Sequence, residues 1–265
     1  MTRYGALAVI VTLAMGAGWT AHGEFEPAKN YEERAKHGFT VRVSPALLEE
    51  PDLADETLRV LDQQVFDMVR RLPEDAVEKL RRDIPIWVEL EDSRLRAAMC
   101  YHVSAGWLAA NGYNPEKARS VEVSNARAFV AHTLDQPSMV LHEFAHAWHH
   151  NFTEDGYDNA RIAEAHEAAQ DSGKYDEVLH ISGRTQRHYG LTSPMEHFAE
   201  LSEAYFGVND FEPFVRGQLQ HFDPEGYALI EEKWGLAEPS EEAEEKDAPS
   251  REKEEDQAPK DGAPE

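Results

Sequence analysis

The stretch from Met139 to His150, MVLHEFAHAWHH, restricts what this chain can become more than any other part of it. Neither proline nor glycine interrupts Ser138 to His150. Met139, Val140, Leu141, Phe144, Ala145, Ala147 and Trp148 are all apolar, the composition of a helix buried on most sides. Gln136, Pro137 and Ser138 supply the starting residues. Against that apolar background His142 and His146 are four residues apart, so on a helix they leave from one face with Cβ atoms about 5–6 Å apart. That spacing suits two ligands of one metal ion. Glu143 directly follows the first of them, which turns its carboxylate toward a water on that metal, where it can serve as a general base. The pattern is HExxH and the expected metal is zinc. A core helix whose histidines are merely hydrogen-bonded is the competing reading, and it gives no reason for Glu143. His149 and His150 are expected to close the helix, where donor or cationic side chains suit the macrodipole, although His146 and His150 share the ligand spacing as well.

A catalytic zinc takes three protein ligands and keeps one position open, so a third donor has to come from elsewhere in the chain. Tyr189 to Gly207 reads YGLTSPMEHFAELSEAYFG, with Pro194 near a helix start and Glu196, Glu200 and Glu203 on roughly one face of that helix. Glu196 and Glu200 are four apart. One can bind metal while the other accepts a hydrogen bond from a ligating imidazole, and the spacing leaves open which does which. Glu203 is expected as a solvated or hydrogen-bonded residue of the same face, and as the alternate ligand should Glu196 point away. Tyr189 has a phenol that stays protonated at neutral pH and can donate to a developing oxyanion.

These two motifs together resemble the gluzincin peptidases of the anthrax lethal factor type, a family that includes the secreted Pro-Pro endopeptidases. There HExxH is followed some tens of residues on by a tyrosine and, seven residues later, by a glutamate ligand within an aromatic-rich helix; Tyr189, Glu196 and Glu200 match that spacing. The resemblance implies His142, His146 and Glu196 as zinc ligands, Glu143 as general base and Tyr189 as the group that stabilises the transition state. It also implies Glu200 as the carboxylate behind a ligating imidazole. The chain departs from the family in reading EHFAELSEAYF, with His197 in place of an aromatic and a more acidic helix. The likeness spans Gln136 to Gly207. His166, His180 and His188 lie between the motifs and are read as ordinary surface or core histidines, His188 being the nearest to the cleft, while His197 is expected to point away from the metal.

Arg3, the apolar run Ala6 to Ala17 and the small residues around Ala21 and Gly23 form the three regions of a secretory signal peptide over residues 1–23, which predicts a secreted or periplasmic protein; an uncleaved segment would act as an anchor. Cys100 is the single cysteine, so no internal disulfide can form; it is read, with His102, as a packed residue without a metal role. The 51 acidic and 26 basic side chains leave a net charge of −25, which argues against nucleic acid or an anionic membrane as partner. Residues 237–265 hold 12 acids and four bases in a Pro, Ala and Glu-rich run with no hydrophobic period, and are expected to be a solvating, disordered tail.

Residues 24–236 match the size of one domain. Gly38 to Val43 and Ile84 to Glu91 alternate like strands, Asp52 to Arg71 and Glu74 to Arg82 carry helical patterns, and Asn159 to Gln170 is helical. Asp171 to Thr192 reads as a connector, and Phe211 to Trp234 closes the domain with helices. Ser120 to Ser124 is β-rich and is placed as an edge strand that pairs with extended substrate backbone. The expected fold is α+β and zincin-like: a small mixed sheet in residues 24–135, then a helical half, 136–236, carrying the metal site. The expected activity is that of a secreted zinc endopeptidase acting on a peptide or protein. The alternatives are a zinc-binding protein that captures a partner without turnover, and a metal-free helical binding module. Oligomeric state and cleavage specificity are not encoded in any motif here.

Overall fold

The computed structural model describes residues 25–236, apart from 93 and 96; the expected signal segment 1–23 and the acidic tail 237–265 lie outside the described residues. Strands Glu32–Lys36 (β1) and Phe39–Val43 (β2) form a hairpin whose turn residues His37 and Gly38 both have positive φ, 48° and 88°, a conformation that glycine adopts freely. A short helix, Pro45–Leu48 (α1), leads to Pro51–Val69 (α2) and Glu74–Asp83 (α3). In α2 the buried residues Leu53, Ala54, Leu58, Leu61, Val65 and Met68 recur at three- and four-residue intervals, so one stripe faces the sheet side of the core and the rest is wet. Strands Ile86–Val88 (β3) and Met99–His102 (β4) follow, then Ala105–Ala110 (α4), Ser120–Val123 (β5) and Ala126–His132 (α5). The second half is largely helical: Met139–Phe152 (α6), Ala160–Ser172 (α7), Pro194–Phe206 (α8), Arg216–Phe222 (α9) and Pro224–Lys233 (α10). A two-stranded hairpin, Val178–Leu179 (β6) with Thr185–Gln186 (β7), interrupts the stretch read as a connector.

The five-stranded sheet has the order β1-β2-β3-β5-β4 and is mixed, with β2, β3 and β5 parallel and β1 and β4 antiparallel to their neighbours. The α+β architecture with a small mixed sheet is as expected, but one placement is corrected. The segment beginning at Ser120 is an interior strand with all four residues of β5 buried, and the edge on the metal-helix side is β4. The expectation rested on the segment's place just upstream of the metal helix, and Glu122 marks the strand as interior. An acid in the middle of SVEV suggests a wet face, whereas here its carboxylate is fully buried, accepting from Lys117 Nζ at 2.6 Å and lying 2.5 Å from His102 Nε2 on the sheet face away from α6. Cys100 and His102 belong to that network and so stand on the opposite side of the sheet from Tyr101, which reaches α6.

Ala98 O accepts from Ser124 N and His102 O accepts from Arg119 N, which fixes the register so that Ala98, Cys100 and His102 turn their backbone to β5. Met99 and Tyr101 therefore leave their N–H and C=O groups on the open side, beside α6. That helix is sandwiched between β4 and β5 on one side and α8 on the other, which is why its apolar residues run nearly all round. Phe144 meets Phe39 of β2 edge to face at 5.1 Å, and Trp148 stacks on Trp234 at 4.8 Å beyond α10. Since Phe144 is fully buried, Phe144→Ala should lower the unfolding free energy by about 3–5 kcal/mol. A urea titration checks this, and a loss under about 1 kcal/mol would mean that α6 does not sit in the core as described.

Candidate metal centre

Two helix ends bring the polar residues together. Val140 N, near the start of α6, donates to Gln64 Oε1 of α2 at 3.0 Å, and Ser138 Oγ accepts from Val208 N at 2.9 Å, tying the head of α6 to the chain leaving α8. The approach is so close that a Cβ on Gly207 would fall 2.3 Å from Ser138 Oγ. At the other end of α8, Ser193 caps the helix by accepting from Glu196 N at 3.2 Å, with Pro194 next to it in the first turn. Glu196 thus occupies the first turn of α8 with its carboxylate free to face α6.

The result is a triangle of donor atoms. His142 Nε2 lies 3.1 Å from His146 Nε2 and 3.1 Å from Glu196 Oε2, and His146 Nε2 lies 3.3 Å from the same oxygen. Ligand distances of about 2.0–2.2 Å in a tetrahedral site put ligand atoms about 3.3–3.5 Å apart, so the triangle is close to one face of such a site. Two imidazole nitrogens turned toward each other beside a carboxylate also share a need that a divalent cation meets and a single proton meets poorly. His142, His146 and Glu196 are 14, 11 and 20 % exposed, enough for an ion to enter from solvent. The residues present fit a metal ion in number, type and spacing.

Behind the triangle the structure corrects one expected partner. His142 Nδ1 donates to Glu203 Oε1 at 2.7 Å, while Glu200 Oε1 is 3.9 Å away. Helical geometry gives the reason: seven residues bring Glu203 within about 20° of the Glu196 direction, whereas four residues put Glu200 about 40° off on the other side. Burial would push the His142 imidazolium down, but the Glu196 and Glu203 carboxylates outweigh it and hold its pKa well above the ordinary value. Burial would likewise raise the Glu196 carboxyl, and the His146 and His142 rings hold it far below the usual range instead. Glu200 goes the other way: burial and its neighbours Asp210 and Glu203 push it well up, its Oε2 has no hydrogen-bond partner, and His188 Nε2 stands 3.8 Å away. Asp210 is pushed up to about 7, by burial and then by Glu203.

Glu143 is partly exposed and is not part of the triangle. Burial pushes its carboxyl up against the pull of the His146 and His142 rings, and the backbone of Tyr101 on β4 is a hydrogen-bond partner for it, which places Glu143 between the candidate metal ligands and the open edge of the sheet. Tyr189 sits in a single helical turn, Tyr189–Leu191, with its ring centroid 6.5 Å from that of His142. Its hydroxyl is buried without a hydrogen bond of normal geometry, and burial followed by the Glu196 charge raises it far above the phenol value, so it carries its proton.

The remaining histidines divide clearly. His149 does not give charge to the helix end as expected: it is fully buried against Tyr157 and Phe198, has neither ring nitrogen paired, and is pushed down to about 3 by burial. His150 Nδ1 lies 2.8 Å from the Tyr101 hydroxyl, so the second ligand-spaced pair, His146 with His150, is not assembled. His188 is buried too, accepts from Gly190 N through Nδ1, and is pushed to about 3 by burial. His197 packs near Tyr175 and His166, away from α6. A second group with ligand spacing, Cys100, His102 and Glu122, already contains the Lys117 ammonium as its positive charge. Three participants in the centre were not singled out by motif: Asp210, Tyr101 and the open edge of β4. Alternation of MCYH could have marked the strand; nothing local marks Asp210. Comparison with family models, with curated proteins and with solved structures returned no match.

The buried imidazoles set the acid stability. With folded values near 3 for His149 and His188 and an ordinary value of about 6.5 in the unfolded chain, the unfolded state binds more protons between those limits. Stability therefore falls as pH drops through that window, by about 1.4 kcal/mol per pH unit for each imidazole, and is untouched by them above it. His149→Phe should make the decline between about pH 6 and pH 4 shallower by that amount in urea titrations. Equal slopes for the two proteins would show that His149 is not held neutral.

Proposed function

We propose that this chain is a secreted zinc-dependent endopeptidase whose residues 24–236 form a zincin-like catalytic domain of the gluzincin type. The observation that carries the reading is the juxtaposition of a His142–His146–Glu196 triangle with Glu143, set between that triangle and the outer edge of β4, where the Tyr101 backbone meets the Glu143 carboxylate. His142, His146 and Glu196 would hold the zinc ion, and Glu203 would orient His142 from behind. When bound, zinc supplies Lewis acidity, polarising a carbonyl and lowering the pKa of water toward about 7.

The chain's own residues supply the rest. An extended peptide adds to the edge of β4 through the Met99 backbone and the Tyr101 carbonyl, beside the Tyr101 N–H that holds Glu143, which brings one peptide bond of the substrate to Glu143. Glu143, its pKa raised toward the range a base needs, takes the proton of the attacking water and delivers it to the leaving amine. Tyr189, protonated and with Glu196 as its neighbouring acceptor, donates to the carbonyl oxygen as that oxygen gains charge.

Purified protein should hold about one zinc per chain, and Glu196→Ala should lose it. Glu143→Gln should retain zinc and lose cleavage of a peptide library; a fully active variant would remove Glu143 from the chemistry, and zinc without cleavage of any peptide by the unsubstituted protein would favour a capturing role instead. The two acids behind the triangle separate in the same assay: Glu203→Gln should weaken zinc binding about 10- to 100-fold, and Glu200→Gln much less. The reverse order would return the supporting role to Glu200.

A further inference from the structure

One turn along α6 from His146, the cleft-facing stripe continues to His150, which is partly exposed and is tied into a short chain of hydrogen bonds. Asn151 Nδ2 donates to Ala147 O at 2.8 Å and to the Tyr101 hydroxyl oxygen at 2.7 Å. A carbonyl can only accept, so the nitrogen assignment of that amide is fixed, and the Tyr101 oxygen is an acceptor from it. The one proton of the Tyr101 hydroxyl is then assigned to His150 Nδ1, 2.8 Å away, the one other partner of that hydroxyl among the described residues. His150 is left with its Nε2–H as a donor.

A second donor stands beside it. Arg119 precedes β5, holds a left-handed backbone at φ 55°, and its N–H donates to His102 O at 2.7 Å, which seats its backbone at the His102 end of β4, one residue from Tyr101. Its side chain is exposed and, among the described residues, has no ion pair or side-chain hydrogen bond. Burial is the larger influence on both neighbours, raising the Tyr101 phenol to about 12 and lowering His150, and the Arg119 charge is felt by both after it. The acids Glu196 and Glu203 lie at the His142 end of the same helix. A neutral imidazole N–H and a guanidinium offer donors and no acceptor, the complement of a carboxylate.

We propose that His150 and Arg119 form a subsite that takes a carboxylate of the bound peptide, either an acidic side chain or the free C-terminal carboxylate, on the His102 side of the bond presented to Glu143. The inference rests on reading the β4 edge as a peptide-binding edge. The chain's net charge of −25 does not oppose it, because charges beyond about 8–10 Å are screened at physiological salt while the Arg119 contact is direct.

The test is peptide binding by fluorescence anisotropy, using the full chain loaded with zinc and carrying Glu143→Gln so that nothing is cut during the titration. In one arm a single Glu, Gln or Lys is walked along a neutral, C-terminally amidated peptide; in the other a neutral peptide ends in a free carboxylate or an amide. A carboxylate in one arm should tighten binding about tenfold over its uncharged counterpart, and the arm that responds identifies its source. Arg119→Gln should abolish the gain, Arg119→Lys should keep part of it, and Arg119→Glu should shift the preference to the Lys peptide. Equal affinities in both arms, a gain untouched by Arg119→Gln, or no binding of any peptide overturns the subsite. Cleavage by the unsubstituted protein separates this from the function proposed above: cleavage without carboxylate preference removes the subsite alone, and preference without cleavage removes the peptidase alone.

Discussion

The packing of α6 against α8 collects more negative charge than the protein itself neutralises. Glu143, Glu196, Glu200, Glu203 and Asp210 converge on His142 and His146, and the ion pairs these acids make among the described residues are with histidines, never with lysine or arginine. Burying unpaired carboxylates is costly enough that such groups either bind protons or draw in a cation. Both responses are visible: Glu200 and Asp210 are driven toward the protonated form, while His142 is held toward the charged one. The rest of the structure is arranged to tolerate this cluster, with apolar residues of α6 filling the space on every other side.

The sheet answers a different demand. Its far face carries a second buried charge group, Glu122 with Lys117, Glu89 and His102, in which one ammonium is shared at 2.6 and 2.7 Å by two carboxylates. The contrast between the two faces is informative. Where the chain supplies a lysine, the polar cluster is closed and holds strands together; where it supplies only imidazoles and acids, the cluster is open and partly exposed, the condition for taking up something from solvent.

How much of this could be read beforehand depends on the reach of each signal. Helices α2 and α3 were legible from an apolar stripe within the segment itself, α6 from its nearly continuous apolar run and α7 from its Ala and Glu content. The triangle was legible because His142, His146 and Glu196 keep helical spacings or resemble a known pattern. The edge strand was not, since which of two short strands lies outside depends on pairing between residues some twenty positions apart. The exchange of Glu200 for Glu203 behind His142 turns on a rotation of about 60° around α8, finer than spacing alone can resolve without the helix it faces. Asp210 reaches the cluster from beyond the end of α8, a tertiary fact with no local mark.

The histidines of α6 show how far neighbours, rather than residue type, decide chemistry. His142 lies between two carboxylates and is pressed toward positive charge, the state a metal ion replaces. His149, seven residues on, faces only aromatic rings and is held neutral with both nitrogens idle. His150 is neutral as well, but Asn151 and Tyr101 dictate which nitrogen carries its proton. A helix that presents an acid-lined end and, two turns later, a donor-lined end gives an extended chain lying along it a direction, because a ligand with a carboxylate is repelled at the first and held at the second.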